Sequence, residues 1–160
     1  MIVGIDPGLQ STAIVALDGD RVHYAANIKT PATDTDEMRC SYIADHVSLA
    51  LEKVPETKSV WVEDYEYQGK RTEGPNAIRL SRLVGYVAQS ARGIVACSYL
   101  VTRNTWGRRL GIRSDDGLKQ RLSQLTGLAL KNAHLRDAAA VALYGQSMTR
   151  QMGQLGSYGK

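Results

Sequence analysis

Four side chains of this 160-residue sequence have the types and spacing to hold a divalent cation: Asp6, Glu63, His134 and Asp137. Asp6 follows the apolar run Ile2-Val3-Gly4-Ile5 and precedes Pro7-Gly8, so it stands where a first strand ends. Glu63 ends a second run, Ser59-Val60-Trp61-Val62, and is the favoured acid there because it belongs to the strand proper; Asp64 and Glu66 follow closely and remain open. His134 and Asp137 lie three apart in Asn132-Ala-His-Leu-Arg-Asp-Ala-Ala-Ala, so a helix presents both from one face. That helix is otherwise small or apolar, which implies close packing and obliges its polar members to find partners. Carboxylates crowded together repel unless a cation neutralises them. Oxygen donors with one imidazole suit Mg²⁺ or Mn²⁺. Two such ions about 3.5–4 Å apart are a common device for in-line phosphodiester cleavage. Each residue also has a plainer role open to it. Asp6 could cap its own turn, His134 could be a satisfied structural residue, and Asp137 could bond Arg136 or nearby backbone.

The elements that must position these groups read along the chain as β-β-β-α-β-α-β-α-α. Strand signals fall at about 1–6, 11–17 and 22–28, with Asp18-Gly19-Asp20 as a hairpin turn. Thr33-Asp-Thr-Asp36 opens a helix that Pro55 closes, with Ile43, Val47, Ala50, Leu51 and Val54 at helical spacing. A strand over 58–63 follows, then a polar loop to Gly74 and Pro75 at a first helical position. Leu80, Leu83, Val84, Val87, Ala88 and Ala91 form an amphipathic stripe ending at Gly93, and residues 94–101 read as a strand. Residues 104–117 read as irregular and basic, 118–125 and 132–148 as helices, and 151–160 as a mobile tail. The expectation is an α/β fold with a mixed five-stranded sheet, its first three strands antiparallel, and helices on both faces. Residues 1–150 would form one domain. The first strand commonly lies beside the fourth in such a sheet, which would bring Asp6 next to Glu63.

Gly4-Ile-Asp6-Pro-Gly8, Val60-Trp-Val-Glu63 and His134-x-x-Asp137-Ala-Ala-Ala together resemble the catalytic motifs of the RuvC family of Holliday junction resolvases, which are endonucleases with an RNase H-like fold. The motifs occur in the family's order and span the chain from Ile2 to about Gly145. The resemblance implies that Asp6, Glu63, His134 and Asp137 are metal ligands and catalytic residues, His134 standing where the family has either His or an acid. It also implies a homodimer that acts symmetrically on a four-way junction. Family members place an aromatic residue shortly after the second acid, and Tyr65 and Tyr67 are both near enough. A lysine in the later basic region would contact DNA near the cut.

Charge points the same way. Residues 1–67 carry five Lys/Arg against twelve Asp/Glu, whereas residues 68–160 carry fifteen against four. A carboxylate-rich part able to hold cations thus precedes a basic part able to hold a polyanion. Candidate phosphate contacts are Lys70, Arg71, Arg79, Arg82, Arg108, Arg109, Arg113 and Lys119. Cys40 and Cys97 lack metal-ligand spacing and read as reduced thiols of a cytoplasmic protein. No run of about eighteen apolar residues is present to span a membrane. The nearest rival function is another RNase H-like nuclease that cuts flaps or trims an RNA precursor, with the same chemistry on a differently shaped substrate.

Overall fold

The computed structural model of the chain describes residues 1–65, 74–112, 114–126 and 132–155. Three strands come first: β1 (Ile2–Asp6), β2 (Ser11–Asp18) and β3 (Arg21–Lys29). They form an antiparallel meander whose second turn passes through Gly19 at φ 57°. Helix α1 (Asp36–Glu52) follows, capped by the Thr35 hydroxyl, which accepts from the Met38 amide. Then come β4 (Ser59–Asp64), α2 (Gly74–Ile94), β5 (Ser98–Thr102), α3 (Arg103–Leu110), α4 (Asp115–Thr126) and α5 (Ala133–Leu155). The sheet order is β3-β2-β1-β4-β5, with β1, β4 and β5 parallel. This is the mixed five-stranded architecture that the sequence predicts.

Strand alternation divides the core in two. Val3, Ile5, Val60 and Val62 face α1 and α2, and are fully buried with Ile43, Val47, Leu83 and Val87. Ile2, Trp61 and Val101 face the other way, against α5, α3 and α4, with Trp106, Leu118, Leu122 and the alanines 138–140 and 142. Each buried Ile, Leu or Val contributes roughly 1.5–3 kcal/mol relative to exposure.

Strand β1 and helix α5 approach each other closely at Gly4. A Cβ built on Gly4 would lie 2.1 Å from the Ala138 carbonyl oxygen and 2.4 Å from the Ala142 amide nitrogen. Further along the helix, a Cβ on Gly145 would lie 2.3 Å from the Trp61 ring. Glycine on the strand and small residues on the helix therefore let two backbones meet without intervening side chains.

Three boundaries differ from the sequence reading. Of the stretch 104–117 read as irregular, residues 115–117 begin α4 and residues 104–110 belong to α3. The Thr102 hydroxyl accepts from the Thr105 amide at its start, and Gly111 closes it in the left-handed conformation at φ 69°. The fifth strand begins at Ser98 rather than Ile94, because α2 runs through Ile94 and the Val95 amide still bonds the Ala91 carbonyl. Helix α5 continues to Leu155. The remaining tail residues, 156–160, lie outside the described ones.

Candidate active site

Parity in two parallel strands places the acids. In β1, Ile2 and Gly4 face α5, so Asp6 does too. In β4, Trp61 faces α5, so Glu63 shares that face and Asp64 belongs to the opposite one. The register pairs Ile5 with Val62, which brings the next residues, Asp6 and Glu63, side by side at the carboxyl edge of the sheet. This physical criterion separates Glu63 from Asp64; Glu66 lies outside the described residues.

Helix α5 brings the other two groups. Its first turn sits over the same edge because Gly4 and Ala138 fix how closely it lies on β1. The Asn132 side chain accepts from the His134 amide at 2.9 Å and orders that turn. His134 Nδ1 lies 2.7 Å from Asp6 Oδ2, and the carboxylate beside it raises the imidazole above its ordinary pKa. Asp137 Oδ2 receives the Arg103 guanidinium at 2.9 Å. The Asp6 and Asp137 side chains are only 14% and 16% exposed.

Glu63 is strongly perturbed. Burial, then the charges of Asp6 and Asp137, push its pKa from 4.5 to about 8, with Arg103 and the Trp106 indole pulling weakly the other way. Glu63 Oε2 and Trp106 Nε1 are both buried, and neither meets hydrogen-bond geometry with any partner. A carboxyl group buried among other acids without a donor must keep its proton or share a cation with them. Among the described residues, no three His, Cys, Asp or Glu close around one point as a finished metal cage. The acids are instead held individually, Asp6 by His134 and Asp137 by Arg103. The donor set still fits Mg²⁺ or Mn²⁺: carboxylates from β1, β4 and α5 with one imidazole.

The site opens into a cleft of about 290 Å³ whose walls include Asp6, Glu63, Asp64, Tyr65, Arg103 and Asn104. Arg103 and Trp106 were not singled out by the sequence as part of the site. The signals that mark α3 are Thr102 as a cap and Gly111 as a terminator, and they put both residues against the acids.

The candidate nucleic-acid contacts, two stacking tyrosines and eight phosphate-binding cations, are dispersed. Tyr65 lines the acidic cleft, whereas Tyr67, Lys70, Arg71 and Arg113 lie outside the described residues. Arg79 grips Asp36, with Nη2 2.7 Å from Oδ1, and Arg82 reaches Glu37 at 2.8 Å, so both are ion-paired to the start of α1. Arg108 is exposed and lines a neighbouring cleft of about 430 Å³ together with Arg103. Arg109 approaches the Ser147 hydroxyl at 3.4 Å, and Lys119 pairs with Asp116 at 3.0 Å. No helix among the described residues is long and apolar enough to cross a membrane.

No protein-family model and no curated protein matches the chain significantly. Solved structures do match. Thermus thermophilus RuvC in complex with a Holliday junction substrate superposes with a TM-score of 0.77 at 22% identity, over 94% of this chain and 95% of that one. A second T. thermophilus RuvC structure gives 0.76 at 22% identity, over 95% and 96%. The yeast mitochondrial Holliday junction resolvase Ydc2 gives 0.58 at 12% identity, over 89% and 76%. With the strand order and the edge where the acids gather already established, these likenesses settle the architecture: the chain has the RuvC-type, RNase H-like fold that its motifs resemble.

Proposed function

We propose that the chain is a metal-dependent endonuclease that resolves four-way DNA junctions by symmetric nicking. The observation that carries this reading is the Glu63 carboxylate, buried between Asp6 and Asp137 with Oε2 lacking a donor and its pKa raised to about 8. Asp6, Glu63, His134 and Asp137 are the residues that would hold Mg²⁺ or Mn²⁺, two ions per site. When bound, the ions supply an activated water and neutralise charge at the leaving oxygen of an in-line displacement. The chain's own groups prepare the site. Asp6 fixes the His134 ring through Nδ1, leaving Nε2 as its other donor atom. Glu63 is ready to give up its proton, because the charge that raises its pKa is the charge a cation would offset.

Tyr65 in the cleft wall suits stacking on an unpaired base, and Tyr67 remains the alternative. Lys70, Arg71, Arg79, Arg82, Arg108, Arg109, Arg113 and Lys119 supply phosphate contacts from the basic part of the chain. A homodimer would present two such clefts to strands of like polarity, as a symmetric cut requires. Residues 1–150 act as one nuclease domain of a cytoplasmic DNA recombination and repair enzyme, a crossover junction endodeoxyribonuclease. The likeness to RuvC bound to a junction supports the choice of substrate.

A synthetic four-way junction compared with a plain duplex of the same sequence tests the reading. The junction should be bound without metal and nicked at symmetric positions once Mg²⁺ is added, while the duplex stays intact. Equal cutting of the duplex would leave a nuclease but remove the junction preference, in favour of a flap- or RNA-processing relative.

A further inference from the structure

We infer that Arg103 is an internal counter-cation that competes with the divalent ion for Asp137, and so limits how tightly the acid cluster binds metal. The inference rests on the metal-dependent reading above. Arg103 is the first residue of α3, directly after β5, and β5 ends beside the edge of β4 that carries Glu63. Its Nη1 is 2.9 Å from Asp137 Oδ2, and its guanidinium carbon lies 5.2 Å from the centre of the Trp106 ring. Trp106 is 1% exposed, so this ring is a fixed platform. The Arg103 side chain is itself 50% exposed, aimed by the ring and the carboxylate but not enclosed.

The charges divide unevenly. His134 answers Asp6, Arg103 answers Asp137, and Glu63 Oε2 is left without a donor. An ion that takes Asp137 as a ligand meets a positive charge already seated on that carboxylate. The two cations repel, and either the guanidinium withdraws or the ion binds more weakly. Histidine would relinquish its charge as pH rises, but arginine keeps its own, so the competition persists across the working range. The exposed half of the side chain gives Arg103 room to withdraw toward the neighbouring cleft, which it lines with Trp106 and Arg108 and which holds none of the four acid-site residues.

Calorimetric titration of Mg²⁺ at about pH 9, where Glu63 is ionised, tests this with wild type, Arg103→Gln, Arg103→Lys and Asp6→Asn. Arg103→Gln should bind Mg²⁺ more tightly than wild type, on the order of tenfold. Arg103→Lys, which keeps the charge but loses the planar fork, should fall between the two. Asp6→Asn should bind weakly or not at all. Should Arg103→Gln fail to fold, Arg103→Lys carries the test alone, again with tighter binding expected. Equal or weaker binding by the Arg103 variants, with Asp6→Asn still defective, would overturn the competition while leaving the metal site standing. An absence of Mg²⁺ binding in wild type would instead overturn the metal reading, and this inference with it.

Discussion

The acids and the cations of this protein are positioned by different means. On the α5 face, backbone geometry does the positioning. Parallel register sets Asp6 beside Glu63, and the contact of Gly4 with Ala138 and Ala142 seats the helix that brings His134 and Asp137. On the α1 and α2 side, long flexible side chains do it. Arg79 and Arg82 are exposed and reach across to Asp36 and Glu37, residues 43 and 45 positions away in sequence. A site built on strand parity and backbone contact tolerates almost no change at its supports. A surface built on exposed ion pairs can be rearranged at little cost, since such pairs are screened by water and salt.

That contrast is broken most readily at Gly4. Gly4→Ala should destabilise the fold by about 3 kcal/mol or more, because its methyl group meets helix backbone rather than a movable side chain. Cleavage should fall with it, as His134 and Asp137 shift away from the sheet edge. Denaturant unfolding with a parallel nicking assay checks both. A Gly4→Ala protein of unchanged stability would show that the close approach is not what seats α5.

The opposite end of the scale is Arg79→Ala with Arg82→Ala. The melting temperature should hardly change, because both ion pairs are solvent-exposed. Junction binding should weaken a few-fold, and each lost phosphate contact should lower the slope of log K against log salt by about one. Binding titrations at several salt concentrations measure this. An unaltered slope would make the two arginines clamps between α1 and α2 rather than DNA contacts.

Sequence alone made the backbone half of this comparison legible. Strand ends, hairpin turns and the small-residue helix are local patterns, and each of the four metal-binding candidates sits at the end of one of them. Even Glu63 against Asp64 reduces to parity once the facing of Trp61 is known. The side-chain half was not legible. Arg103 reaches Asp137 only because α3 exists, and a segment with Gly107 and paired arginines reads as loop although Trp106 in its middle is buried. Ile94-Val-Ala-Cys97 is apolar enough for a strand, yet Ile94 ends α2 and residues 95–97 make the connection to β5, and a short apolar run does not distinguish these uses. Neither the Arg79 nor the Arg82 pairing leaves any trace in local periodicity, since both partners lie on another helix.

The central claim is that Asp6, Glu63, His134 and Asp137 form one divalent-cation site, and thermal melting across pH with and without Mg²⁺ tests it most directly. Glu63 titrates at about 8 in the folded protein against 4.5 when unperturbed, and His134 is also raised. Between those values the folded state holds protons that the unfolded chain has released, so stability without metal should decline as pH climbs from about 4.5 to 8. An ion held only by the folded form would displace the Glu63 proton, so Mg²⁺ should raise the melting temperature, increasingly toward pH 8 and above. Asp6→Asn should lose that rise. A wild-type protein whose melting is indifferent to Mg²⁺ at every pH, or an Asp6→Asn variant that responds equally, would contradict the account.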